Sequence, residues 1–488
     1  MKNNKRGFTL VEIIGVITIL ALMLMVSVPA LTKSLKQNAQ KEYDSYVSNL
    51  KMATESYIVK NLSKYPELQV AEGRVYVSLQ TLLQEGYIKK IQKDPSATDD
   101  RQPDAILVIS NADGTFDYQI IKSETLKDIV YQDLRSTLCT ETSLSNCYYK
   151  SIDSKNFVWY GGFLWRIIGL ENDGNIQMIT ADNVVSLSPN GSEVYNWIND
   201  YEYGFKKSLP DYLQNQTFDL LASSQTSLSI EFLTNTGNIL VKNGSTEECH
   251  LVNDEYSWDK KSCGVRPVMT ISGDTKITNG NGSETFPYKL EGESSAVVGT
   301  YIANLNVGEY IKIPKKNSTD QYILARVLDN RNNRLKVVLQ QFMGSGSWDI
   351  VSGMQSIITS IYVDYSFLDN REMTWYEGLF AEVSDAPETG AVFVSYYANP
   401  DLAPVSEKLN GQLVGILHIG ELFATNENNM TNYFIDCGNV ACTVRDNSTI
   451  YNLGSSASAS LRVALYLNPL LKVTGGNGTK ESPYTIAY

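Results

Sequence analysis

Residues 8–31 form one apolar run that carries a single carboxylate, Glu12. As a helix the run is roughly 36 Å long, against a hydrocarbon core of about 30 Å. It therefore predicts a membrane-spanning segment. Lys2, Lys5 and Arg6 precede the run and Lys33 follows it, a bias that keeps residues 1–7 cytoplasmic and exports the bulk of the chain. No later stretch is long and apolar enough to bring the chain back. An ionised carboxylate in such a helix costs about 2.5–3.5 kcal/mol on insertion scales, and less near an end. No Lys, Arg or His lies between Arg6 and Lys33, so the cation that Glu12 needs comes from outside the segment or is newly made. Cutting between Gly7 and Phe8 makes one, the amino group of Phe8.

The run Gly7-Phe8-Thr9-Leu10-Val11-Glu12 behind a short basic leader resembles the prepilin leader of type IV pilins and type II secretion pseudopilins. Counted from Phe8, Glu12 is the fifth residue and Pro29 the twenty-second, the positions at which that family carries a glutamate and often a proline. The resemblance implies a prepilin peptidase that cuts after Gly7 and N-methylates Phe8. It also implies assembly with other pilin subunits, in which Glu12 pairs with a Phe8 amine. Two other readings of the run stay open: Val28-Pro29-Ala30 as a signal peptidase site, and a plain permanent anchor. Neither explains Glu12 behind Gly7-Phe8-Thr9.

Beyond Leu31, Leu35, Ala39, Tyr43, Tyr46, Val47, Leu50, Ala53, Tyr57, Ile58 and Leu62 recur at three or four residues, one helical stripe. A helix over 8–65 is expected, with a break near Pro29, which lacks an amide hydrogen. Residues 66–122 read as a small α+β head. A strand at 74–77 leads into a helix capped by Ser78 and stopped by Gly86, and a hairpin at 105–121 turns on Asn111-Ala112-Asp113-Gly114. This stretch is similar to the compact heads of small Gram-positive pilins.

The rest of the chain repeats itself. Thr278-Asn279-Gly280-Asn281-Gly282-Ser283 with Phe286-Pro287-Tyr288 reappears as Thr474-Gly475-Gly476-Asn477-Gly478-Thr479 with Ser482-Pro483-Tyr484. At the same spacing upstream, Gly264-Val265-Arg266-Pro267-Val268 faces Ser460-Leu461-Arg462-Val463-Ala464. Phe163-Leu164-Trp165-Arg166-Ile167 likewise parallels Ile323-Leu324-Ala325-Arg326-Val327. The expected organisation is a leader at 1–7, a pilin helix at 8–65 and a head at 66–122. A linker with a Cys pair at 123–150 follows, then two mainly antiparallel β modules with short helices at 151–290 and 291–488. The fold class is α+β. The modules are similar to an uncharacterised repeat of Gram-positive surface proteins, a likeness that implies no activity.

Six cysteines fall into local pairs, Cys139 with Cys147, Cys249 with Cys263 and Cys437 with Cys442, without a C-x-x-C. That pattern suits small disulfide loops in an exported protein; six reduced buried thiols are the alternative. With two histidines and a net charge of −13, neither a zinc cluster, His-based catalysis nor a nucleic-acid footprint is expected. The glycine-rich turns lack the Lys-Ser/Thr of a phosphate loop. Asp173 and Asp329 begin no full calcium-loop pattern. Arg266 and Arg462 read as structural ion-pair partners rather than ligand binders. No catalytic, cofactor or metal residue is assigned, and an enzyme is not expected.

The sequence reading is a minor type IV pilin or pilin-like filament subunit. It starts as a single-pass protein of the cytoplasmic membrane, joins a cell-surface filament at its tip, and presents two modules to an unknown extracellular ligand. The alternatives are a pseudopilin of a secretion or DNA-uptake system and a membrane-tethered surface enzyme.

Overall fold

The computed structural model describes residues 9–134 apart from 63–64 and 70, 147–187 apart from 150 and 152–154, and 194–222 apart from 201–203. It further describes 239–250 apart from 244–245, 263–346 apart from 293–295, 297, 319 and 331–332, then 358–371, 380–383, 392–395, 413–418, 421, 430, 432–436, 441–444, 450–452 and 458–488. The chain divides into two units, one of residues 1–62 and 75–123, the other of residues 63–74 and 124–488.

The first unit is built on α1 (Leu10–Asn61), 52 residues and so roughly 78 Å long. Its two halves face different surroundings. The large apolar residues from Leu10 to Met25, with Val28, Leu31 and Leu35, are exposed, whereas Tyr43, Leu50, Thr54, Tyr57 and Ile58 are buried. The expected stripe thus packs only from Tyr43 onward. The expected break at Pro29 is absent: the helix runs through it. A proline removes one amide donor and clashes with one carbonyl, and a long helix absorbs that locally when its neighbouring turns hold. Thr32 helps hold them, its hydroxyl donating to the Val28 carbonyl at 2.7 Å.

Against the far half of α1 lie β1 (Arg74–Ser78), α2 (Leu79–Gln84), β2 (Ala105–Ser110) and β3 (Phe116–Ile121), with the strands in the order β1-β2-β3. Ser78 caps α2, its hydroxyl accepting from the amides of Gln80 and Thr81. Gly86, at φ 78°, turns the chain away, and Tyr87 and Ile88 then donate to the Leu82 carbonyl. Positive φ costs glycine nothing, which is why the helix stops there. Tyr57 meets Tyr87 edge to face at 5.4 Å. Burial, with the Glu55 charge on α1, pushes the Tyr118 hydroxyl of β3 up to about 12.

Beyond residues 63–74, the second unit continues with α3 (Leu126–Leu134), then β4 (Phe157–Tyr160), β5 (Phe163–Leu170) and β6 (Asn175–Thr180). An insertion follows, with β7 (Val185–Leu187), α4 (Val194–Asn199), α5 (Asp211–Gln214), β8 (Ile239–Asn243), β9 (Thr246–His250) and β10 (Cys263–Val265). β11 (Val268–Ser272), β12 (Ile277–Asn279) and β13 (Tyr288–Leu290) complete the first repeat. Its main strands lie in the order β12-β13-β4-β5-β6-β11, while the insertion forms a separate sheet, β7-β10-β8-β9. Trp165, Trp197, Phe205 and Phe218 pack together, Trp165 stacked on Phe218 at 6.2 Å.

The second repeat runs through β14 (Tyr310–Pro314), β15 (Tyr322–Asp329) and β16 (Leu335–Gly346). Its insertion holds β17 (Phe380–Val383), β18 (Val392–Ser395), β19 (Val414–His418), β20 (Tyr433–Asp436), β21 (Ala441–Val444) and β22 (Ile450–Asn452). β23 (Ala459–Leu467), β24 (Lys472–Gly475) and β25 (Tyr484–Ala487) close it. Six of these strands lie in the order β24-β25-β14-β15-β16-β23, matching the first repeat strand for strand, and β19 to β22 extend the sheet beyond β23. In both repeats the first and last strands pair in parallel, β4 with β13 and β14 with β25, whereas the other pairings among the six shared strands are antiparallel.

The correspondence extends to single bonds. Phe157 and Tyr310 donate to the carbonyls of Gly282 and Gly478 at 3.0 and 2.8 Å, and Ile167 and Val327 donate to those of Asn156 and Glu309, both at 2.8 Å. The glycine turns serve packing. A Cβ on Gly282 would sit 2.4 Å from the Tyr288 ring, and one on Gly478 would sit 2.6 Å from the Tyr484 ring.

Candidate functional site

The segment that carries the sequence signal begins at Thr9. Thr9 is the N-cap of α1 and closes a capping box with Glu12. The Thr9 hydroxyl accepts from the Glu12 amide at 3.3 Å, and the Glu12 carboxylate accepts from both the Thr9 amide and the Thr9 hydroxyl at 2.9 Å. Two of the amides that a helix start leaves unpaired are thereby satisfied, and an anion sits at the positive end of the helix dipole. Glu12 thus has partners within its own chain. The sequence reading missed Thr9 in this role, although Thr-x-x-Glu ahead of an apolar run is the pattern that signals it.

From Leu10 to Met25 the helix presents apolar side chains to its surroundings on every side, as do Val28, Leu31 and Leu35 beyond. Its length and composition suit crossing a membrane. The polar group of Thr18 is turned inward, its hydroxyl donating to the Ile14 carbonyl at 2.8 Å, the economical arrangement where water is absent. Pro29 sits within this exposed half. Gly7 and Phe8 lie outside the described residues.

The other residues singled out from sequence sit elsewhere and do different things. Arg266 is buried, and its guanidinium donates to the backbone carbonyls of Thr180 and Ala181. Burial, opposed by the Asp182 charge, pushes its pKa down to about 10. Arg462 is buried beside the Tyr433 ring and donates to the Tyr433 hydroxyl at 3.3 Å and the Gln340 side chain at 3.4 Å. Both arginines stitch strands together, Arg266 through backbone carbonyls with the Asp182 charge nearby and Arg462 through the Tyr433 hydroxyl and the Gln340 side chain. Asp173 accepts from the Asn175 amide at 3.0 Å inside a hairpin turn with Gly174 at φ 85°. No group of three metal-ligating side chains occurs among the described residues. Cys147, Cys263 and Cys442 are disulfide-bonded, whereas Cys139, Cys437 and the side chain of Cys249 lie outside the described residues.

Sequence reasoning had no access to the seam between the repeats. The Gly162 and Gly308 backbones cross so closely that a Cβ on Gly162 would stand 1.9 Å from the Val307 carbonyl oxygen, and one on Gly308 would stand 1.9 Å from that of Gly162. Arg326 spans the crossing, donating to Gly308 at 3.1 Å and to Gly162 at 3.2 Å, between the rings of Phe163 and Tyr310.

Residues 2–28 match the family model described as the prokaryotic N-terminal methylation motif. Comparison with curated proteins and with solved structures gives no match.

Proposed function

We propose that this type IV pilin-like chain is a large minor subunit of a cell-surface filament, cut after Gly7, N-methylated at Phe8, and located at the filament tip. The observation that carries this reading is the methylation motif on a helix whose first half is exposed and apolar and whose second half packs into a head. Such a helix first resides in the membrane and then among the helices of other pilin subunits, so prepilin peptidase and those subunits are its partners. On assembly the Glu12 carboxylate exchanges Thr9 for the Phe8 amine of a neighbour. That exchange fixes subunit register and need not add net stability. Residues 124–488 are too bulky for a tightly packed repeating shaft, which motivates the tip position, with the two repeats outermost for adhesion. Disulfides Cys139–Cys147, Cys249–Cys263 and Cys437–Cys442 belong to this reading as staples of an exported protein.

The test is gold labelling of the second repeat on filaments sheared from the native host. Label at one filament end supports the reading, and label at regular intervals along the shaft overturns the tip position. Label on the cell body alone, with loss of secretion or DNA uptake on deletion, assigns the chain to a pseudopilin machine instead.

A further inference from the structure

Lys336 is the sole buried lysine among the described residues, with no solvent exposure. Its ammonium donates to the Glu421 carboxylate, itself buried, and the pair joins β16 to the segment just after β19. A wholly buried ion pair gives back in desolvation most of what it gains in attraction.

The two repeats show that this chemistry is not part of the shared scaffold. In the second repeat one row across three strands reads Asp329, Lys336, Tyr466. In the first repeat the corresponding row reads Gly169, Gln177, Thr270. Amine, second carboxyl and covering ring thus occur together in one repeat, and none of the three occurs in the other. Tyr466 covers the Lys336 amine at 5.7 Å from its ring centroid, and Asp329, directly across from Lys336, brings a carboxyl within side-chain reach.

We propose that Lys336 and Glu421 condense to an intramolecular amide, with Asp329 carrying the proton. The Lys336 ammonium gives a proton to Glu421. The neutral Nζ then adds to the Glu421 carboxyl carbon, forming the C–N bond. Asp329 takes the surplus proton from Nζ and returns it to the departing hydroxyl, which leaves as water while the carbonyl re-forms. One amine and one carboxylic acid become one amide and one water, and Asp329 ends as it began. No oxidant, reductant or activated donor is needed. Holding the reacting groups together in place of a second reactant supplies the drive, with effective concentrations of about 10⁵–10⁸ M for well-oriented pairs. The product is a covalent tie between positions 85 residues apart, placed where a subunit under tension would otherwise peel at the edge of its insertion.

The test is mass spectrometry of the full chain, reduced, alkylated, unfolded and digested. The expected result is a branched peptide containing residues 336 and 421, lighter by one water than its two parts, and absent from Lys336→Arg and Glu421→Ala chains. Asp329→Ala should slow formation by about 100-fold or more, the usual contribution of a positioned acid–base group. Linear peptides for both residues in the unaltered chain, with no branched product, overturn the amide. A branched product that forms as fast in Asp329→Ala overturns the role given to Asp329.

Discussion

In the single subunit Glu12 completes the capping box with Thr9; the proposed function gives it a second partner, a neighbouring amine in the filament. Replacing Glu12 with leucine leaves an apolar helix that still inserts and is still cut after Gly7. The expected outcome for Glu12→Leu is normal processing, with the subunit retained in the membrane fraction and lost from sheared filaments, read by immunoblot of the two fractions. In the first repeat Trp165 is wholly buried, and its indole donates to the Tyr160 carbonyl at 2.8 Å. Trp165→Ala should cost about 3–5 kcal/mol through the cavity and the lost contacts, seen as a fall in the denaturant midpoint of the second unit. The methylation motif was legible in sequence because its spacing is local and a carboxylate in an apolar run is anomalous, whereas the capping role of Glu12 was missed. The Lys336–Glu421 pair was not legible, because nothing near either residue marks a partner 85 positions away.

The elements tell a similar story at longer range. The helix cap at Ser78, the stop at Gly86 and the hairpin turn at Asp113-Gly114 were readable from the residues that such turns require. The parallel pairing of first and last strands in each repeat was not, since parallel partners have no local turn to announce them. The break placed at Pro29 failed because proline disfavours a helix interior without forbidding it in a long helix with intact neighbouring turns. At the seam, Gly162→Val and Gly308→Val each drive a side chain into a carbonyl. Either change should separate the repeats without unfolding them, so small-angle scattering shows a larger radius of gyration while each keeps its own cooperative melt. In the second repeat, burial alone pushes the Asp369 carboxyl up, but hydrogen bonds from Arg371 and the Arg334 charge outweigh it and hold it below the usual value. A lowered carboxylate stabilises above its unfolded pKa of about 3.9 and loses that contribution as pH falls through the folded value. Stability is therefore expected to be level from neutrality to about pH 5 and to fall below about pH 4. Asp369→Asn should flatten that acid limb in denaturant titrations taken at several pH values.

For the molecule as a whole, the match to a family model covers residues 2–28, and 365 residues (488 minus 123) lie beyond the pilin-like part. The repeats were legible from paired motifs because each unit needs the same glycine turn under the same buried tyrosine. Their insertions were not, because they share no residues to align. The central claim is that this chain enters a filament by cleavage and methylation at its N-terminus. The most direct test is mass spectrometry of the mature N-terminus in protein taken from the native host. The account predicts a chain that starts at N-methylated Phe8. A mature chain that starts at Leu31 would make residues 1–30 a discarded signal and contradict it.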